Sequence, residues 1–455
     1  KPTKFSPGIV AVSSTVESIS NSFYNQTSDN GAFGFIQLDS SFTDYGSTYD
    51  KGVATLYGGA FSVLTSNLSL TKTTLSNLSA GEVGAIFAQS TSAITMREVT
   101  MKAVRSGAGA IYLQSQSSVS IASSKFSDFN STLIHSEKSN VSIASSVFKD
   151  ASPTSSNGGV VQCMECKSLS IKTSNFTNIT TPYDGGCISL YTTGTLTGYI
   201  EGNTFVNCSG VEGGALKSTG SSLSVVSNQF ILNSATENGG AMDLSCARKS
   251  CTLNLTLNTF SNNTAASDGG GVSWADVEPA FVNNTFSQNH ALYGSDIACF
   301  ASYVEVIATS KEGRLLEAES LTEVASGQLG NYLALELKDK YGSTVTTDEL
   351  TTVTLIGGEG TVLGGITSLS PVNGTYIFDS FSIKAVPGSK VKISIVSEDI
   401  RTTDKDTNYA LTLPVNLRLC KLGEIETSDN SCSECQSGQY SLTENSTLCS
   451  SCPTE

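Results

Sequence analysis

Asp184, Glu212 and Asp268 are the residues whose type and spacing first suggest chemistry: each stands immediately before a Gly-Gly pair in a phrase that returns roughly every 25 to 30 residues. Carboxylates brought one above another by such a repeat could bind calcium or divide the acid and base roles in cleaving an acidic polysaccharide. Asn157 and Asn238 fill the same place in other copies. Both Asp and Asn suit tight corners, so the expectation is turn chemistry and not catalysis. The two histidines, His135 and His290, fall in different copies with no acidic motif beside them. No catalytic, cofactor or metal residue is assigned from the sequence.

The twelve cysteines are the other reactive set. Cys163-x-x-Cys166 and the pair Cys246 and Cys251 could close small loops, and Cys187 and Cys208 could join neighbouring repeats, which leaves Cys299 over. A tail holds Cys420, Cys432-x-x-Cys435 and Cys449-x-x-Cys452. Two Cys-x-x-Cys pairs could form a structural zinc site. The presence of Cys420, with the secretory features below, favours disulfides instead. Cys299 and Cys452 are the candidates for a bond to another subunit.

Composition narrows the class of partner. A formal net charge of -15 with only 26 Lys and Arg excludes nucleic acid as the expected ligand. Thirteen Asn-x-Ser/Thr sequons occur, at Asn25, Asn67, Asn77, Asn130, Asn140, Asn175, Asn178, Asn207, Asn254, Asn262, Asn283, Asn373 and Asn445. With the cysteines and the acidic surface they point to a secreted or cell-surface glycoprotein. The first residue is Lys1, consistent with removal of a signal peptide.

The elements that must position these residues are short strands. Gly-Gly phrases such as Tyr57-Gly58-Gly59-Ala60 and Asn238-Gly239-Gly240-Ala241 alternate with a second phrase, Asn203-Thr204-Phe205, Asn228-Gln229-Phe230, Asn258-Thr259-Phe260 and Asn284-Thr285-Phe286. Between them run segments with a period of two, such as Val119-Ser120-Ile121 and Leu253-Asn254-Leu255, as expected of strands with one buried face. A repeat of that length built from short strands predicts an all-β chain folded as a parallel β-helix of about ten coils. Its like residues would pile into columns, Phe filling the core and Asn bonding along its own stack.

Gly-Gly-Ala-[Ile/Leu/Val] with Phe-x-x-Asn, as in Phe230 to Asn233 and Phe260 to Asn263, resembles the repeat of chlamydial polymorphic outer-membrane proteins and of pectin-lyase-like β-helix proteins in protists. The resemblance implies a right-handed parallel β-helix over residues 1–302. Beyond it, Leu335-Glu336-Leu337-Lys338-Asp339, Asn373-Gly374-Thr375-Tyr376 and Pro387-Gly388 resemble bacterial or filamin-type immunoglobulin-like repeats, which implies a β-sandwich over 303–417. The tail, 418–455, is similar to ephrin-receptor-like Cys-rich modules. That likeness implies the pairs Cys420–Cys432 and Cys435–Cys449 and leaves Cys452 for a partner past Glu455.

The expected function is structural: an extracellular glycoprotein, not an enzyme, that associates with its own kind in a surface filament, appendage or coat. Two alternatives stand beside it. One is an adhesin binding an extracellular glycan or protein through a β-helix face; the other is a polysaccharide lyase or hydrolase using Asp184, Glu212 and Asp268.

Overall fold

The computed structural model describes residues 7–154, 156–194, 196–247, 251–310, 320–400 and 409–453. The chain divides into two compact units, Lys1–Cys299 and Phe300–Glu455. Among the described residues every regular element is a strand.

The first unit is a parallel β-solenoid of about eleven turns, one more than the repeat count predicts. One face is an eleven-stranded parallel sheet running from Thr15–Ile19 to Ala280–Val282, and the other faces share a 27-stranded sheet. The strands of the first turn, Ile9–Val12, Thr15–Ile19 and Ser22–Tyr24, lack the glycine phrase yet pair in register with the second coil.

Phenylalanine explains why the coils stack in one register. Phe23, Tyr49, Leu75, Met101 and Phe126 lie over one another, and the column continues through Phe148, Phe176, Phe205, Phe230, Phe260 and Phe286. From Phe126 onward the rings stack face to face, 4.6 Å apart at Phe176–Phe205 and 5.1 Å at Phe126–Phe148. That separation matches the distance between paired strands, so backbone pairing and ring contact are satisfied together.

Polar groups inside the corners stack as well. The Asn203 backbone N–H and Nδ2 both donate to Asn228 Oδ1, at 2.8 and 3.0 Å, and Asn228 repeats this with Asn258 and Asn258 with Asn284. Earlier coils use serine there: Ser124 N–H donates to Ser146 Oγ, and Ser146 N–H to Ser174 Oγ. A second ladder runs through Asn233, Asn263 and Asn289. Each rung satisfies a buried backbone donor that turning away from the strand has left without a carbonyl.

The Gly-Gly corner needs both residues for different reasons. Gly185, Gly213 and Gly239 hold φ of 67°, 65° and 66°, in the left-handed region. At Gly186 a Cβ would run into the carbonyl oxygen of Gly214 in the next coil, so the spacing of coils itself excludes a side chain.

In the second unit a four-stranded sheet (Ala301–Ala308, Asn331–Asp339, Thr375–Lys384, Val362–Gly365) and a five-stranded sheet carry the buried residues Leu333, Leu335, Phe378, Ile393 and Val415. The expected boundary at 417/418 falls inside this unit. Its tail forms two small hairpins and is tied to the rest of the unit by Lys384 with Asp429 at 2.6 Å and by the Cys432 backbone N–H, which donates to Ser326 O at 2.9 Å, while within the tail the Arg418 guanidinium donates to both oxygens of Glu424 at 2.7 and 2.9 Å.

If the aromatic column carries the register, Phe205→Ala opens a cavity between two stacked rings and lowers unfolding stability by about 3–5 kcal/mol. Gly186→Ala is also destabilising, through a backbone clash. Chemical denaturation followed by far-ultraviolet circular dichroism measures both. Wild-type stability in Phe205→Ala contradicts the column's role.

Candidate functional site

The alternation of each strand after the Gly-Gly corner sends one residue into the core and the next outward. The outward residues form a column of their own, in which Phe87, Tyr112, His135, Gln162, Ser189, Lys217, Asp243 and Ser273 lie in register. Although it points away from the core, the column is largely shielded from solvent: Phe87 is 7% exposed and Asp243 7%. It is the chemically richest strip of the solenoid.

Its first half is aromatic. The rings of Tyr57 and Phe87 lie 4.7 Å apart, and Tyr112 meets His135 edge-on at 4.6 Å. Tyr112 donates its hydroxyl to Glu137 Oε1 at 2.6 Å, and His135 Nε2 lies 3.5 Å from the same oxygen. Burial holds the His135 imidazole below its ordinary value, against the pull of Glu137 and the Ala108 backbone.

The second half is charged. Lys217 Nζ donates to Glu212 Oε2 at 2.5 Å and to Asp243 Oδ1 at 2.6 Å. Burial pushes the Asp243 carboxyl up to about 6; Lys217 opposes that shift, and Glu212 and Asp268 add to it. Burial also raises Asp184, followed by the charge of Glu212. Lys217 itself is held above its ordinary value by Asp243 and Glu212, although burial is the largest single influence and acts in the opposite direction.

The three acids singled out from the sequence lie along one corner, as the backbone bonds from Gly185 to Glu212, Gly213 to Asn238 and Gly239 to Asp268 show. Asp184 and Glu212 are in adjacent coils, and Asn238 separates Glu212 from Asp268. Their side chains also serve the corner: Asn157 Oδ1 accepts the Asp184 backbone N–H at 3.1 Å, and Asp184 Oδ1 accepts that of Glu212 at 3.4 Å. Sequence reasoning missed Lys217 and Asp243. The signal was present, since each lies three residues after the second glycine of its corner, the offset that places successive copies one above another.

The two histidines are not brought together. His135 belongs to the outward column, whereas His290 is exposed beside Thr264.

Sulfur–sulfur bonds join Cys163 with Cys166, Cys187 with Cys208, Cys246 with Cys251, Cys420 with Cys432 and Cys435 with Cys449. Cys452 is exposed. Cys299 is buried at the end of strand Ile297–Cys299, in register with Trp274, so a bond from its sulfur to another subunit requires that strand to move aside. Cys420, Glu424 and Cys432 are close enough to hold a metal, but both sulfurs are already spent on each other.

Of the sequon asparagines, Asn25, Asn67, Asn77, Asn175, Asn178, Asn207, Asn254, Asn262, Asn283 and Asn373 are exposed, and Asn130, Asn140 and Asn445 are half-buried. Asn445 Oδ1 accepts the backbone N–H of Cys420 at 3.1 Å, so that side chain is occupied in holding the tail.

Fold and site together define a parallel β-solenoid protein with a disulfide-rich C-terminal region. Comparison with protein-family models and with curated proteins finds no match for the chain.

Lys217 is the cation at the centre of the acidic strip, so Lys217→Ala leaves Asp243 and Glu212 facing each other in a buried setting and costs about 3–5 kcal/mol at neutral pH. Asp243 binds its proton more tightly in the folded chain, so its contribution is full below its ordinary value of 3.8 and is lost as pH rises through about 6. His135 acts oppositely, its contribution disappearing as pH falls below the ordinary 6.5. The Lys217→Ala deficit is therefore smaller at pH 5 than at pH 8. Thermal unfolding across that range measures it, and a deficit independent of pH contradicts the assignment.

Proposed function

We propose that this chain is an extracellular, glycosylated structural protein that associates with copies of itself into a surface filament, appendage or coat. The observation that carries the reading is the edge of the first coil: among the described residues Ile9–Val12, Thr15–Ile19 and Ser22–Tyr24 pair on one side only, and Val10, Ile19 and Tyr24 are 54%, 66% and 53% exposed. Strand edges of this kind template further pairing. At the other end of the solenoid, among the described residues, Ala280–Val282 and Thr285–Ser287 also have a partner strand on one side only.

The first and last coils run in the same direction, so a contact between them joins unlike surfaces and extends without closing, which favours a filament over a ring. The column of stacked rings would then continue from copy to copy. Five disulfides suit an oxidising compartment outside the cytosol. In the second unit, the two-sheet arrangement fits an immunoglobulin-like sandwich, and the Cys420–Cys432 and Cys435–Cys449 pairs fit an ephrin-receptor-like module. Both are common spacers in extracellular chains.

Negative-stain electron microscopy and sedimentation of the secreted full chain test the reading. Particles that lengthen with concentration are expected, and Val10→Lys with Ile19→Lys is expected to stop growth while leaving thermal unfolding within about 1 kcal/mol of wild type, since both side chains are exposed. Monomers alone at high concentration would falsify self-association.

A further inference from the structure

Two residues beyond the phenylalanine column the backbone makes a left-handed kink in every coil. It is occupied by Asn25, Asn77, Asn178, Asn207 and Asn262 in five coils, and by Lys51, Ala103, Asp128, Asp150, Leu232 and Gln288 in the other six, with φ between 52° and 58°. Asparagine tolerates that conformation better than most residues with a Cβ, which accounts for its presence. Backbone preference at the kink does not dictate the residue two positions further along. Yet every asparagine at this kink has a hydroxyl there, at Thr27, Ser79, Thr180, Ser209 and Thr264, whereas only Asp150 and Leu232 of the other six occupants do.

Ladder asparagines provide the contrast. Asn203, Asn228, Asn258 and Asn284 each have a core Phe at the second position, and Asn233, Asn263 and Asn289 each have Ala. The pattern Asn-x-Ser/Thr is thus absent from both ladders and complete wherever asparagine stands at the exposed kink. In addition, the strands of the face that carries Tyr112, His135, Lys217 and Asp243 contain none of the thirteen sequon asparagines.

We propose that Asn25, Asn77, Asn178, Asn207 and Asn262 carry N-linked glycans, which line one corner of the solenoid and leave the face bearing Lys217 and Asp243 free of sugar. This deepens the glycosylated, extracellular reading above and rests on it. The donor is a diphosphate-activated oligosaccharide supplied by the secretory machinery. A bond forms from Nδ2 to the anomeric carbon, the bond from that carbon to the diphosphate oxygen breaks with its electron pair leaving on the diphosphate, and one amide proton passes to the transferring enzyme. The other Nδ2 hydrogen remains. Asn207 Nδ2 donates to Asn178 Oδ1 at 3.0 Å, Asn178 Nδ2 to Asp150 Oδ1 at 3.1 Å and Asn77 Nδ2 to Asp50 Oδ1 at 2.7 Å, and each bond uses one hydrogen, so the corner keeps these contacts when sugar is attached.

The test is site mapping on the full chain secreted from a eukaryotic host. Enzymatic release of N-glycans in heavy-oxygen water converts each occupied asparagine to a mass-marked aspartate, and all five kink positions are expected to be marked in more than half of the molecules. Leu232→Asn completes Asn-x-Ser with Ser234 at a side chain already 55% exposed, so this variant is expected to gain one glycan in intact mass. Marking at exposed Asn373 with the five kink sites unmarked, or Leu232→Asn without added mass, overturns the corner assignment alone. No mark at any site overturns it together with the glycoprotein reading. Assembly is scored separately by microscopy, so marked sites on chains that never associate remove the filament and leave the glycan corner standing.

Discussion

Backbone hydrogen bonds between successive coils are the constraint on which the rest of the solenoid depends. Once Gly185 N–H is bonded to Glu212 O and Gly213 N–H to Asn238 O, residues at matching offsets have no choice but to lie one above another at strand spacing. Any side chain at a given offset is then selected by its neighbours above and below as much as by its own coil. Flat rings succeed at the core position because they can repeat at that distance, and glycine succeeds at the corner because the adjacent carbonyl leaves no space for a Cβ.

The same rule governs polar groups, with opposite results on the two sides of the wall. Inside, the amide of Asn228 accepts from the coil before it while donating to Ile200 O, so one side chain answers donor and acceptor needs that water cannot reach. Serine does part of this work in earlier coils with a single hydroxyl, which is why the ladder can change residue type along its length without losing the bond to the backbone. Outside, asparagine at the left-handed kink faces solvent and is under no such obligation.

Charge is concentrated in a different way. Lys217 draws Glu212 and Asp243 together across two coils, and burial, reinforced by the charges of Glu212 and Asp268, raises the Asp243 carboxyl. In the second unit ion pairs act at the margin of a conventional core: Lys384 with Asp429 fastens, and Arg418 with Glu424 braces from within, a tail whose own apolar content is too small to fold by burial alone. Disulfides supply the remaining constraint there.

Repetition made most of the first unit legible in the sequence. The Phe and Asn beats, the glycine phrase and the period of two determine parallel strands, an inward aromatic and a tight corner, because each is a local requirement that recurs. The first coil was harder to read, since Phe23 keeps the beat without the glycines and its pairing is decided by the coil above it. Lys217 and Asp243 became neighbours only through stacking: one coil shows an ordinary outward lysine and the next an ordinary outward aspartate, and tertiary register alone makes them a pair. The division of asparagines into a buried ladder and an exposed kink was likewise undetermined until φ and burial were known, because the residue type suits both. Local chemistry is written in the order of residues, whereas partnership between coils depends on which offset each turn of the backbone carries to the same height.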